Sequence, residues 1–283
     1  MKTLKKIKLL IIFFCTMLIP IVMLIKNGAM KTSYRNIYKA SELSAHMKSF
    51  PENTLVLCDI DDTLITPVSK TFASPYKKMI DDIKSSQDKY ANYQEIISTW
   101  RLSRKVKLTD KEWPSVINTI KNGFQVFGLT KMDTGSVGKI HSIEQWRYSE
   151  LKSLDIRFTK KTSEIEKNKG STFFKGIIFT GSCKKSLALQ NHLKLTNFDH
   201  IVMVDDRTEH LDDMSSLCKI LNIPFTGFCF KIPQVEINPD IPKIQHLYLT
   251  EKNIWLEDAD ADSVLTRTKQ KTHCQNVAVY NPQ

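Results

Sequence analysis

Thr54 to Thr66 reads T-L-V-L-C-D-I-D-D-T-L-I-T, and this stretch decides the fold. Leu55 to Asp59 runs on without the apolar–polar alternation of a half-exposed strand, so it reads as a strand buried on both faces, as in a parallel sheet. It ends abruptly in Asp59, Asp61 and Asp62, followed by Thr63. Carboxylates this close repel one another unless a cation or a proton lies between them. Ligands of open α/β sheets bind outside the carboxyl ends of the strands, where these acids fall. The plainer alternative is a helix N-cap cluster, because Asp and Thr both cap well.

Working outward, the same pattern returns. Phe124 to Thr130 is an apolar strand ending in a hydroxyl, and Phe173 to Thr180 is a third apolar run. Gly181-Ser182-Cys183-Lys184-Lys185-Ser186 follows, then a helix over Leu187 to Leu193. His200 to Asp206 is an apolar strand closing on two acids, and Ile223 to Phe230 reads as the last strand. Helices are expected over Ser41 to Phe50 with Pro51 as its stop, Trp113 to Asn122, Ile143 to Leu154 and His210 to Leu221. Residues 31–40 read as linker, and so does the lysine-rich Lys160 to Gly170.

Asp59-Ile60-Asp61-Asp62-Thr63 resembles the first signature motif of the haloacid dehalogenase (HAD) superfamily, most of whose members are Mg²⁺-dependent phosphatases. Thr130 resembles its second motif, Lys184 or Lys185 its third, and Asp205-Asp206 its fourth. The D-I-D-D-T-L opening, the lysine-then-helix stretch and the V-D-D-R closing look most like a bacterial group of often exported proteins, the DUF2608 type. They are also similar to secreted acid phosphatases. The resemblance spans about Leu55 to Phe230 and departs from the pattern twice. The lysine is doubled and followed by Ser186, where relatives commonly have Gly, and Thr130 is followed by Lys131-Met132 rather than a familiar Arg or Asn.

The resemblance implies a Rossmann-like, doubly wound parallel α/β sheet with an insert behind the first motif. Residues 31–66 and 112–240 would form the core, and 67–111 a small helical cap with Met79, Ile80, Ile83, Ile96, Ile97 and Trp100 turned inward. Residues 241–283 would be a C-terminal extension. Asp59 would be the nucleophile and Asp61 the general acid and base. Thr130 and a lysine would hold the phosphoryl oxygens. Mg²⁺ would sit on Asp59, the carbonyl of Asp61, Asp205 and Asp206. The substrate would be a small phosphomonoester. A HAD-fold binding or effector protein with little turnover is the alternative, and its mark would be a lost nucleophile or acid.

Two choices within that scheme rest on spacing. Thr180 also ends an apolar run, but Lys185 follows it by only five residues and leaves no room for a helix, so Thr130 is the second motif. Lys185 is preferred to Lys184 because it lies nearer the helix whose N-terminus would face the same anion.

Composition narrows the rest. A hydrophobic fraction of 41% with 25% charged residues is globular, not disordered. Net charge is +11, and removing the five lysines at 2, 5, 6, 8 and 26 leaves +6 for the body. That remainder is diffuse and carries no aromatic-rich basic stripe, which argues against nucleic acid as a partner. Those lysines bracket residues 9–25, seventeen residues without a charge, which read as a signal peptide or a single membrane anchor within 1–30. Positive charge ahead of the run places the body outside the cytoplasm, either secreted or anchored. Arg101, Arg104, Lys105 and Lys107 of the insert read first as a solvated basic face and second as a contact for an anionic substrate. Asp258, Asp260 and Asp262 do not make a calcium loop, since Ser263 and Lys269 stand where Gly and Glu are needed. The six cysteines follow no zinc or disulfide spacing, and Cys58, Cys218 and Cys229 read as small buried hydrophobes.

Overall fold

The computed structural model describes residues 33–72, 78–160, 163–233 and 236–279. The apolar leader lies outside them, and no helix among the described residues is long and apolar enough to cross a membrane. In chain order the elements begin with β1 (Ser33–Ile37), α1 (Ala40–Met47), β2 (Thr54–Cys58) and β3 (Ile65–Pro67). Then come α2 (Lys78–Ser85), α3 (Tyr93–Ser103), β4 (Val106–Leu108), α4 (Trp113–Lys121), β5 (Gln125–Thr130) and α5 (Ile143–Ser153). β6 (Glu166–Asn168), β7 (Ser171–Phe174), β8 (Ile177–Phe179), α6 (Lys185–His192), β9 (His200–Asp205) and α7 (Thr208–Leu221) follow. β10 (Phe225–Phe230), α8 (Asp240–Lys252) and α9 (Asp258–Val279) end the described chain.

The main sheet has the order β1-β10-β9-β2-β5-β8-β7-β6. All neighbours from β1 to β8 run parallel, while β7 and β6 turn back antiparallel at one edge. The chain leaves β2 toward β5 and β8, then returns to β9 on its other side and moves on to β10. β2 is therefore the switch point of an open α/β sheet, where a crevice forms at the strands' carboxyl ends.

Side chains alternate across a strand, and the core divides accordingly. Val56 and Cys58 face one hydrophobic layer with α1, α4 and α5, whereas Leu55 and Leu57 face a second layer with α6 and α7. All five residues of β2 are buried, as are the last five of β9. Unbroken apolar runs are what a strand covered on both faces requires. Burial pushes the Cys58 thiol up to about 12, where it acts as a small hydrophobe.

Several expectations are corrected. Ser33–Ile37, read as linker, pairs parallel with β10 and extends the sheet. The run Phe173 to Thr180 is not one strand: Lys175 (φ 47°) and Gly176 (φ 84°) form a two-residue turn that folds it into the β7–β8 hairpin. Part of the lysine-rich linker pairs with β7 as β6. Segment 67–111 is not purely helical, because β4 pairs antiparallel with β3 at its root. Ile83, Ile96, Ile97 and Trp100 are buried there, while the side chains of Met79 and Ile80 lie outside the described residues. The polar tail forms α8 and α9, and Asp258 accepts hydrogen bonds from the Ser69 hydroxyl (2.5 Å) and the Lys70 N–H (2.8 Å).

A Cβ at Gly176 would meet the carbonyl oxygen of Thr159 at 2.6 Å, on top of its left-handed φ. Gly176→Ala should therefore cost about 1–3 kcal/mol. The reading is a lower denaturant midpoint at unchanged slope.

Candidate active site

Three neighbouring parallel strands, β9, β2 and β5, end together, and the sequence places a functional group at each end. Asp59 follows β2, with its N–H donating to the Val204 carbonyl at 2.9 Å. Asp205 ends β9 and Thr130 ends β5, and both are buried. Beyond Asp59 the chain turns sharply. The N–H groups of Leu64 and Ile65 both donate to the Ile60 carbonyl, and Asp62 takes a left-handed φ of 62°, which Asp tolerates better than most residues.

Lys185, in the first turn of α6, sends its ammonium between the two strand-end acids. It donates to Asp59 Oδ1 and, at 2.7 Å, to Asp205 Oδ2, and it is 2% exposed. Asp59 Oδ2 also accepts from the Thr63 hydroxyl at 3.1 Å. Asp205 accepts from the Arg207 N–H at 3.0 Å and faces His210 Nδ1 at 3.0 and 3.2 Å. Burial raises the Asp59 carboxyl to about 6 against the pull of Lys185. Burial alone would raise Asp205 too, but Lys185 and His210 hold it below the ordinary carboxylate range. Burial would lower Lys185, and the two carboxylates more than reverse that, so the lysine stays charged. Carboxylate oxygens of Asp59, Asp205 and Asp206 lie within 4.8 Å of one another. Hard oxygen donors so grouped suit a hard divalent cation such as Mg²⁺.

A second charge layer lies over the first. Arg147 Nη2 holds both oxygens of Asp61, at 2.9 and 3.0 Å, and Arg147 Nη1 donates to Glu150 at 2.6 Å. Arg104 reaches Glu150 at 3.3 Å and Asp61 at 3.8 Å, and Arg101 reaches Asp133 at 2.7 Å. Arg104 and Arg147 both lie over the Trp146 ring, 5.5 and 5.2 Å from its centre. Between the two layers opens a cleft of about 250 Å³.

Asp59, Asp61, Thr130 and Asp206 all line that cleft, and Lys185 is bonded to its floor. Thr180 is not among the lining residues; its N–H donates to the Thr130 carbonyl one strand farther out. Lys184 is exposed at the N-cap of α6, which begins two residues earlier than expected. The carboxylate of Asp61 faces Arg147 and is not in the three-acid cluster; its expected metal contact was through the backbone carbonyl. Lys105 and Lys107 are exposed, as a solvated face requires, but Arg101 and Arg104 are buried and line the cleft, which corrects that reading for them.

Arg147, Glu150 and His210 were missed. Arg147 stands four residues after Ile143 and four before Leu151, on the buried stripe of α5, and a charged residue at a core position was the available signal. His210 gave no signal, because its contact arises only when α7 folds back over Asp205.

A model of the DUF2608 family, described as a protein of unknown function, matches residues 36–262. The uncharacterized protein RP296 of Rickettsia prowazekii (strain Madrid E) is 30% identical over 232 residues, covering 76% of this chain and 84% of that protein. No solved structure matches the chain.

Removing the Lys185 ammonium leaves Asp59 and Asp205 facing each other in a buried site. Lys185→Met should cost about 3–5 kcal/mol in metal-free buffer. Asp59→Asn in the same background should recover part of that loss. A double-mutant cycle from denaturant unfolding checks this, and additivity within about 0.5 kcal/mol would contradict the coupling.

Proposed function

Because the chain belongs to the DUF2608 family, whose description assigns no activity, we propose from its site that it is a Mg²⁺-dependent phosphohydrolase. It acts on small phosphomonoesters through an aspartyl-phosphate on Asp59, in the manner of the HAD superfamily that its motifs resemble. One observation carries the reading: a buried carboxylate at the switch point of the sheet, gripped by Lys185, with Asp205 and Asp206 within ligand distance. The sheet order around β2 and the insert behind the first motif support it further.

Phosphate monoesters hydrolyse extremely slowly unaided, so the site must neutralise charge and align the groups. An Asp59 oxygen attacks phosphorus, and the ester oxygen departs with a proton from Asp61. Water, giving its proton back to Asp61, then attacks the acyl phosphate and regenerates Asp59. Thr130 and Lys185 hold the phosphoryl oxygens. Asp59, Asp205, Asp206 and the Asp61 carbonyl would hold Mg²⁺, which would supply charge neutralisation when bound. While paired with Arg147, the Asp61 carboxylate only accepts hydrogen bonds, so acting as the acid requires it to leave Arg147 and take a proton from water, which its 38% side-chain exposure allows. The same ion pair favours a second reading, a HAD-like binding protein with little turnover, in which Asp61 stays locked.

The discriminating assay is phosphate release by the full chain from a panel of phosphomonoesters. Wild type should turn over, fall silent in EDTA and recover with Mg²⁺. Asp59→Asn should abolish turnover with the fold retained. Thr130→Ala and Lys185→Ala should each lose about tenfold or more, with Thr180→Ala and Lys184→Ala losing far less. Turnover indifferent to Asp59→Asn would overturn the mechanism, and its absence on every substrate would leave the binding reading.

A further inference from the structure

Arg104 and Arg147 share the carboxylates of Asp61 and Glu150, so their charges are met within the protein. Arg101, one turn before Arg104 on α3, is not so provided. Its side chain is 3% exposed, and its one ion pair among the described residues is with Asp133, whose side chain is 61% exposed to water. Arg101 Nε and Nη1 have no hydrogen-bond partner among the described residues. Lys84 of α2 crowds the same place. The residue is exposed as a whole, yet its ammonium lies 5.7 Å from the Trp100 ring centre, and burial, then the charge of Arg101, lower its pKa. Both cations thus line the cleft, where Asp61, Asp81 and Asp133 bear on Lys84 while two donors of Arg101 stay unmet among the described residues. Like charges in a low-dielectric wall repel, and a buried guanidinium with unmet donors is costly. Both costs fall if an anion enters the cleft.

That anion is not the transferring phosphoryl group, whose place is at Asp59, Thr130 and Lys185. Asp61 follows Asp59 by two residues, Arg104 contacts Asp61, and Arg101 lies about 4.5 Å farther along α3. Resting on the phosphatase reading, we infer that Arg101 and Lys84 form a second anion subsite in the same cleft. Its substrate is a small phosphomonoester whose leaving group carries a carboxylate or a second phosphate. A cleft of about 250 Å³ suits a molecule of that size rather than a large ligand.

The test uses the full chain with Mg²⁺ and three probes that share a three-carbon leaving group: 2-carboxyethyl phosphate, 1,3-propanediol bisphosphate and propyl phosphate. The kcat/KM of at least one doubly anionic probe should exceed that of propyl phosphate by about tenfold or more. Which of the two is preferred identifies the second anion. That ratio should collapse toward one in Lys84→Ala and in Arg101→Gln, and Arg101→Lys should restore part of it. Lys84→Ala alters an exposed side chain, so misfolding of the Arg101 variants leaves the test intact. Measurable turnover with no preference among the probes would overturn the subsite and leave the phosphatase standing. If no probe is turned over, calorimetric binding of the three probes decides, and the phosphatase reading is judged by the phosphomonoester panel. Tighter binding of a doubly anionic probe, weakened in Lys84→Ala, supports the subsite; equal binding of all three overturns it.

Discussion

Lys185 places one ammonium between the carboxylates of Asp59 and Asp205, where two adjacent parallel strands end. Withdrawing such ions from water costs several kcal/mol each, and only close, well-directed pairing offsets that. The requirement reaches outward into the fold. The lysine must start a helix, and that helix must point its N-terminus at the strand ends. The Ser186 N–H and hydroxyl donate to Asp213 of α7 at 3.0 and 2.8 Å, which ties α6 to its neighbour. The loop before it is equally fixed: Gly181 has a φ of 55°, and a Cβ there would meet the Gly170 carbonyl oxygen at 2.1 Å.

Asp61 joins the inner and outer charge layers. Its backbone belongs to the strand-end turn with Asp59, while its carboxylate belongs to Arg147 and Arg104. In the proposed reaction the inner layer would hold the phosphoryl group and a divalent cation, and the outer one would face what the phosphoryl group is attached to. The proposed reaction would require the Asp61 side chain to leave the outer layer for the inner one. Arg147 is held at its other end by Glu150, so releasing Asp61 does not strand an unpaired guanidinium.

Strands β2, β5 and β9 and the acids at their ends were legible because each carries its own local pattern, an uninterrupted apolar run closed by Asp or Thr. Lys185 could be chosen over Lys184 from its distance to the coming helix. Strand β1 was not legible: Ser33 to Ile37 has little apolar content, and its strand character comes from the edge of β10 beside it. The β7–β8 hairpin hid because Phe173-Phe174 and Ile177 to Phe179 read together as one apolar run across Lys175-Gly176, although an X-Gly pair is a turn signal. The arginines were misjudged for a related reason. Arg101 stands four residues after Ile97, and Arg104 four after Trp100, so both continue a buried stripe, yet as charged residues near lysines they read as surface.

The central claim is that Asp59 becomes covalently phosphorylated, and acid-quenched mass spectrometry tests it most directly. The full chain is mixed with Mg²⁺ and a phosphomonoester that it turns over, quenched within a turnover and digested. The account predicts one added phosphoryl group on the peptide that contains Asp59, lost on mild base treatment as an acyl phosphate would be and absent in Asp59→Asn. Turnover without that adduct, or with the adduct on another residue, would contradict it.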